Sequence, residues 1–216
     1  MTTPPPRIVV LISGSGTNLQ ALIDASQSSS PPHYKISLVL SNKPSAYGLT
    51  RAANAQIPTL SLSLKSYRES HPTASRTDYD THLASLIRSH LSQDPIYKNS
   101  PTPDLIVLAG FMHILSPQFL SSFSDGRIIN LHPALPGAFD GAHAIERAFE
   151  AFQKGEITET GVMVHKVIPE VDRGEVVLVR SVPIHKEDTL EKLEERIHSV
   201  EHGLIVEGTK KMLGVA

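Results

Sequence analysis

Apolar residues along this chain fall into short unbroken runs that alternate with stretches of helical spacing. Ile8-Val9-Val10-Leu11-Ile12 is continuous and rich in β-branched residues, Leu105-Ile106-Val107-Leu108-Ala109 is continuous, and Ile36 to Leu40 is broken only by Ser37. Such runs read as strands covered on both faces. Ile128-Ile129-Asn130-Leu131 is another. A weaker run from Ile57 to Leu62 contains Pro58, which predicts an edge strand because proline cannot donate to a ladder. Leu19, Leu22 and Ile23 share a helix face, as do Tyr79, Leu83, Leu86, Ile87 and Leu91, and again Ile145, Ala148, Phe149 and Phe152. Short helices are predicted at Tyr47 to Gln56 and at Pro117 to Phe123. Ser63 to Ser75 is polar and reads as a loop. Ser92 to Pro103 contains three prolines and reads as a long loop. Two strand-like runs, Thr160 to Ile168 and Glu175 to Ile184, precede a last helix. Its apolar stripe is Leu190, Leu193, Ile197, Val200, Leu204 and Ile205. Asp188, with Glu191 three residues on, is its expected N-cap.

This alternation predicts an α/β fold: a doubly wound, mostly parallel sheet with helices on both faces, Rossmann-like in order. Residues 1–6 are expected to be a flexible lead and residues 7–216 a single domain, which a length of 216 suits. In such sheets ligands bind beyond the carboxyl ends of the strands. The informative segments are therefore Ser13 to Asn18, Gly110 to Leu115 and Asn130 to His143.

Composition narrows the chemistry. The chain has no cysteine, which excludes disulfides, thiolate metal sites and a cysteine nucleophile. Net charge is −2 with no basic cluster, so neither nucleic acid nor a membrane surface is an expected partner. The first apolar run is too short for a signal peptide or a membrane span, and a cytoplasmic location is expected.

Ser13-Gly14-Ser15-Gly16-Thr17-Asn18 joins the first strand to the first helix. Glycines let the backbone approach a ligand, and a helix N-terminus offers unpaired N–H groups at the positive dipole end. Both suit a phosphate. No Gly-Lys-Ser/Thr follows, and Leu19 stands where a dinucleotide fingerprint needs a third glycine, so a monophosphate fits better. The alternative is a plain tight turn with Thr17 or Asn18 as N-cap. Asn130 and His132 flank Leu131 at a strand end and point to one side. An amide and an imidazole aimed at one spot can polarise a carbonyl, hold an oxyanion and move a proton. The alternative is a structural pair. Asp172 could orient the imidazole, though aspartate is also an ordinary turn residue. His198-Ser199-Val200-Glu201-His202 matches an inverted zinc-peptidase pattern, but no further ligand is evident nearby and no metal is expected.

Together these segments resemble the phosphoribosylglycinamide formyltransferases, a folate-dependent formyltransferase family of purine synthesis. The resemblance runs from Ile8 to about Met212. It rests on Val10 to Gln20, Val107-Leu108-Ala109-Gly110-Phe111-Met112, Ile129-Asn130-Leu131-His132-Pro133, and Val162-Met163-Val164-His165 through Asp172. It implies formyl transfer from the co-substrate 10-formyltetrahydrofolate to the glycinamide amine of N1-(5-phospho-D-ribosyl)glycinamide. The amine would attack directly, through a tetrahedral intermediate. Asn130, His132 and Asp172 are then the catalytic trio, with Asp172 favouring a protonated His132. Gly16, Thr17 and Asn18 would take the 5′-phosphate, and Glu201 the ribose or glycinamide end. Arg76 would meet the folate glutamate tail. Met112, His113, Ile114 and Leu115 would line the folate pocket, with Asn130 and the turn Ile168, Pro169, Glu170, Val171 and Asp172. The implied partners are small-molecule substrates only, with the chain a monomer or homodimer.

Three features depart from the family pattern: His113 replaces an arginine of the bacterial type, Leu135-Pro136-Gly137-Ala138-Phe139-Asp140-Gly141 lacks that type's lysine, and Ser92 to Pro103 is longer than in compact relatives, as a surface insertion would be. A tRNA formyltransferase would be expected to carry a further domain and a basic surface, and a formyl-folate hydrolase a domain before the first strand. A non-catalytic phosphosugar binder would keep Ser13 to Asn18 without needing Asn130, His132 and Asp172 together.

Overall fold

The structure, a computed structural model, describes residues 4–29, 32–97, 100–123 and 126–215. In chain order the elements are β1 (Arg7–Ile12), α1 (Thr17–Gln27), β2 (Lys35–Ser41), α2 (Tyr47–Asn54), β3 (Thr59–Ser61), α3 (Leu64–Ser70) and α4 (Arg76–Ser92). After a 3-10 turn at Pro95–Tyr97 come β4 (Leu105–Leu108), α5 (Pro117–Ser121), β5 (Ile128–His132), α6 (Ala144–Gln153), β6 (Glu159–Lys166), β7 (Val176–Pro183) and α7 (Leu190–Leu213). The strands form one seven-stranded sheet in the order β3-β2-β1-β4-β5-β6-β7. The pairs from β3 to β5 are parallel, whereas β5–β6 and β6–β7 are antiparallel. The expected doubly wound, mostly parallel sheet is thus present, with β3 at an edge as Pro58 predicted.

Strands β1, β2, β4 and β5 bury residues on both faces because helices cover both. One layer packs α1, α6 and α7 on Ile8, Val10, Val107, Ile129, Leu131, Val162 and Val164. The other packs Leu83, Ile87 and Leu91 of α4, with Phe119 of α5, on Val9, Leu11, Ile106, Leu108 and Ile128. Asn130 and His132 follow Ile128 at alternate positions of β5, on the face of this second layer. The site therefore lies where that apolar layer stops.

Three sequence expectations are corrected. Ser63 to Ser75 is not all loop: α3 occupies Leu64–Ser70, started by the Ser63 side chain accepting from Ser66 N–H. Tyr67 is its buried residue, so no apolar stripe announces the helix. Asp188 does not cap α7. Thr189 does, accepting from Lys192 N–H, because Asp188 is held by Arg196 at 2.6 and 2.7 Å. The lead does not stay loose up to β1: the Pro6 carbonyl accepts from Lys35 N–H, and the Pro5 carbonyl from the Tyr97 hydroxyl. Residues 1–3 lie outside the described residues.

The segment after α4 is pinned at the start of β1. Arg7, fully buried at the start of β1, donates to the Leu91, Ser100 and Thr102 carbonyls, and its guanidinium lies 4.5 Å from the Tyr97 ring centre. Among the described residues no helix is long and apolar enough to cross a membrane.

Candidate active site

Three groups of side chains gather beyond the carboxyl ends of β1, β4 and β5. The first is the glycine loop. Gly16, at φ 73°, is the N-cap of α1, and no side chain caps the helix. A Cβ there would sit 2.6 Å from Gly48 Cα, so the start of α2 closes on the loop only because Gly16 is glycine. The first-turn N–H groups are left without a side-chain acceptor, as an anion site requires. Neither Thr17 nor Asn18 is the N-cap. Asn18 instead donates Nδ2 to Glu201 Oε2 at 3.0 Å, and its Oδ1 is buried without a partner. Glu201 is buried, and burial pushes its carboxyl above the usual range against the pull of Asn18 and His198. The zinc-peptidase pattern thus resolves into a carboxylate turned towards the glycine loop. Among the described residues no group of three or more His, Asp or Glu is placed to hold a metal ion.

The second group is the trio. Asn130 and His165 are direct partners across β5 and β6. Asn130 Nδ2 lies 3.2 Å from His165 Nε2 and 3.3 Å from Asp172 Oδ1. Asp172 Oδ2 accepts from Gly141 N–H at 2.8 Å and faces His132 Nδ1 at 3.4 Å. The structure therefore brings Asn130, His132 and Asp172 together. Burial pushes the Asp172 carboxyl up, but the His165 and Gly141 hydrogen bonds and the two imidazoles outweigh it, and the group stays below the carboxylate range. For His132, burial outweighs the pull of Asp172 and of the Phe139 carbonyl, so the imidazole is held below its ordinary value. Asp172 alone had implied the opposite direction. His132 Nε2 meets the Phe139 carbonyl at 3.2 Å, which Arg147 also holds, at 2.5 Å.

Sequence reasoning missed His165. Its Nδ1 donates to the Lys166 carbonyl at 2.9 Å, which leaves Nε2 to face Asn130 and Asp172. Its alternation with Met163 on β6 was the available signal. Ser13 was also passed over: its hydroxyl donates to Asn42 Oδ1 at 2.6 Å and accepts Met112 N–H at 2.7 Å. It ties the glycine loop to the segment after β4.

The third group is that segment. Met112 and Ile114 are 72% and 58% exposed, and Ile168, Pro169, Glu170 and Val171 are exposed across the turn. Apolar side chains left in water here suit a flat aromatic ligand. Two expected lining residues do not reach it. Leu115 is buried in the α4/α5 layer. The His113 side chain turns inward to Asp80, Nε2 to Oδ1 at 2.6 Å, where a fully buried carboxylate also accepts Ser116 N–H. Arg76 is exposed at the rim and donates to the Ile114 carbonyl at 3.2 Å.

An α/β sheet with an uncapped glycine loop beside an amide–imidazole–carboxylate cluster is an arrangement suited to group transfer on a phosphorylated substrate. Residues 6–209 match the formyl transferase family, and the chain belongs to it. It is 50% identical to the phosphoribosylglycinamide formyltransferase of Dictyostelium discoideum, over 94% of this chain and 96% of that one. To the Schizosaccharomyces pombe protein of the same name it is 49% identical, over 95% and 96%. The crystal structure of glycinamide ribonucleotide transformylase 1 from Geobacillus kaustophilus superposes with a TM-score of 0.82 at 34% identity, covering 98% of this chain and all of that one.

Proposed function

We propose that this chain is a phosphoribosylglycinamide formyltransferase of purine biosynthesis. It moves the formyl group of 10-formyltetrahydrofolate to the glycinamide amine of N1-(5-phospho-D-ribosyl)glycinamide. Family membership gives the reaction class. The observation that carries the assignment to residues is the Asp172 carboxylate, which gathers Asn130, His165, His132 and the Gly141 N–H on one side chain.

Gly16, Thr17 and Asn18 receive the 5′-phosphate on the uncapped start of α1. Glu201 and the orphaned Asn18 Oδ1 offer acceptors to the hydroxyl and N–H donors of the same substrate. Met112, Ile114, Ile168 and Val171 flank the folate ring, Pro169 and Glu170 edge it, and Arg76 faces the glutamate carboxylates. His113 and Leu115 act through their main chain only.

The amine nitrogen bonds to the formyl carbon, and the carbonyl electrons move to oxygen. His132 is neutral at rest. It gains a proton as the amine loses one, and the cation forms only as the oxyanion does. Asn130 gives one N–H to the same oxygen. The carbon–N10 bond then breaks and the proton ends on N10. Residues 7–216 act as one domain, as a monomer or homodimer, in the cytoplasm.

The test is an absorbance assay of formyl transfer run with and without the ribonucleotide. Transfer is expected only with it; equal release without it would make the chain a hydrolase. His132→Ala is expected to fold and lose at least about 100-fold in turnover. Asp172→Asn is expected to lower kcat more than ribonucleotide affinity. Full activity in His132→Ala would refute the catalytic assignment.

A further inference from the structure

Two loops meet over His132: residues 134–143 after β5, and the turn 167–175 between β6 and β7. One contact between them is the Gly141 N–H to Asp172 Oδ2 bond. A second is charged. Arg173 Nη2 pairs with Asp140 Oδ2 at 2.5 Å, and Nη1 lies across Gly137, 3.8 Å from where a Cβ would be. The other oxygen, Asp140 Oδ1, is buried and has no partner. Arg147 fixes the backbone of the first loop, donating to the Phe139 and Asp140 carbonyls at 2.5 and 2.7 Å.

We propose that Asp140 and Arg173 form a charged latch that positions the catalytic groups, clamping loop 134–143 to turn 167–175 so that Asp172 keeps the Gly141 N–H and Asp140 does not act on His132 as a second free carboxylate. The proposal rests on the reading of His132 and Asp172 as catalytic. The Arg173 side chain is 55% exposed, so the pair adds little to global stability. It joins loops carried by different strands, so its effect falls on the site between them. The groups that face His132 are Asp172 from the turn, His165 from β6, and Asp140 with the Phe139 carbonyl from loop 134–143. Arg173 stands behind Asp140, and Arg147 behind the Phe139 carbonyl. The Asp140 charge favours a protonated His132, least of the groups around it, and Arg173 is the opposite charge seated on that carboxylate. Removing one partner or the other must therefore shift the imidazole in opposite directions. Loss of loop order alone would not produce that pattern.

The experiment measures kcat, both KM values and the NMR titration of the His132 ring in Asp140→Asn, Arg173→Gln and the double variant. Each single is expected to lose about 3- to 10-fold in kcat, with the ribonucleotide KM within about twofold of wild type. The double should be no worse than the poorer single. The His132 titration should move down in Asp140→Asn and up in Arg173→Gln. Wild-type kcat in both singles, losses that multiply in the double, or shifts of one sign would overturn the latch. His132→Ala run alongside separates the two levels. If it is inactive, a failed latch test leaves the catalytic reading standing; if it is active, both fall.

Discussion

Gly174→Ala is a single methyl added two residues from Asp172, and its effect can be worked from the structure. A Cβ at Gly174 would sit 1.7 Å from the Lys166 carbonyl oxygen and 2.7 Å from its carbon. Ordinary contact needs about 3.5 Å, so the backbones must part by roughly 1.5 to 2 Å. Lys166 cannot give way. It is paired with Ile129 in the sheet, and the next residue donates to the Ile128 carbonyl at 2.8 Å. The turn must move instead, opening the 2.9 Å bond from Lys166 N–H to the Glu175 carbonyl. Asp172 moves with it, although its contacts at 2.8, 3.3 and 3.4 Å tolerate only tenths of an ångström. A displacement of 1 Å in such a site is worth about 100-fold in rate. Overpacking at a turn costs about 1–3 kcal/mol, which leaves the fold standing. Formyl transfer at saturating substrates should therefore fall at least about 100-fold in a protein whose far-UV circular dichroism is unchanged. Ribonucleotide affinity, assigned in the proposed function to the α1 terminus, should change little. Turnover within about threefold of wild type would refute the claim that Asp172 needs this turn.

Arg7→Met removes the guanidinium bonds to the Leu91, Ser100 and Thr102 carbonyls and should cost about 2–4 kcal/mol in urea unfolding, with kcat unchanged; a variant as stable as wild type would show that Arg7 does not pin the segment after α4. Glu201→Gln keeps the Asn18 contact but drops a charge that burial disfavours, so it should raise the ribonucleotide KM. Because the folded carboxyl sits above its unfolded value, its stabilising effect is full below about pH 4.3 and lost as pH rises, so the variant should be at least as stable at neutral pH. His132 has the opposite sign: held below about 6.5, it contributes stability above that pH which is lost as pH falls, and this part of the stability profile should be missing in His132→Gln.

Much of the fold was legible because β1, β2, β4 and β5 are covered on both faces and are apolar at most positions. The direction of β6 was not. It follows β5 through α6, a link that usually serves parallel strands, and an apolar run carries no sign of direction. The turn from Lys166 to Val176 held a usable signal for β7, being too short for a crossover and so requiring an antiparallel partner. Helix α3 was invisible for a different reason. It buries Tyr67 alone, and one buried residue has no period.

The candidate site shows a sharper division. Asn130 and His132 were legible as a same-side pair because strand alternation is local. What surrounds them is set by register and by loop backbone, and neither leaves a pattern in the chain. His165 meets Asn130 only because β6 pairs antiparallel in that one register. Phe139, His143 and Asp172 all have positive φ, near 51, 59 and 56°, in the two loops around His132. None is glycine, so each costs about 1–2 kcal/mol in backbone energy. Residues held there against that cost need contacts that outweigh it. Two are hydrogen bonds: Arg147 on the Phe139 carbonyl, and Gly141 N–H on Asp172. Loop 134–143 thus supplies part of what holds the turn in its strained form, while α6 holds the loop through Arg147. A turn aspartate read alone looks ordinary because the half of its environment that makes it a catalytic candidate lies 31 residues away, on Gly141.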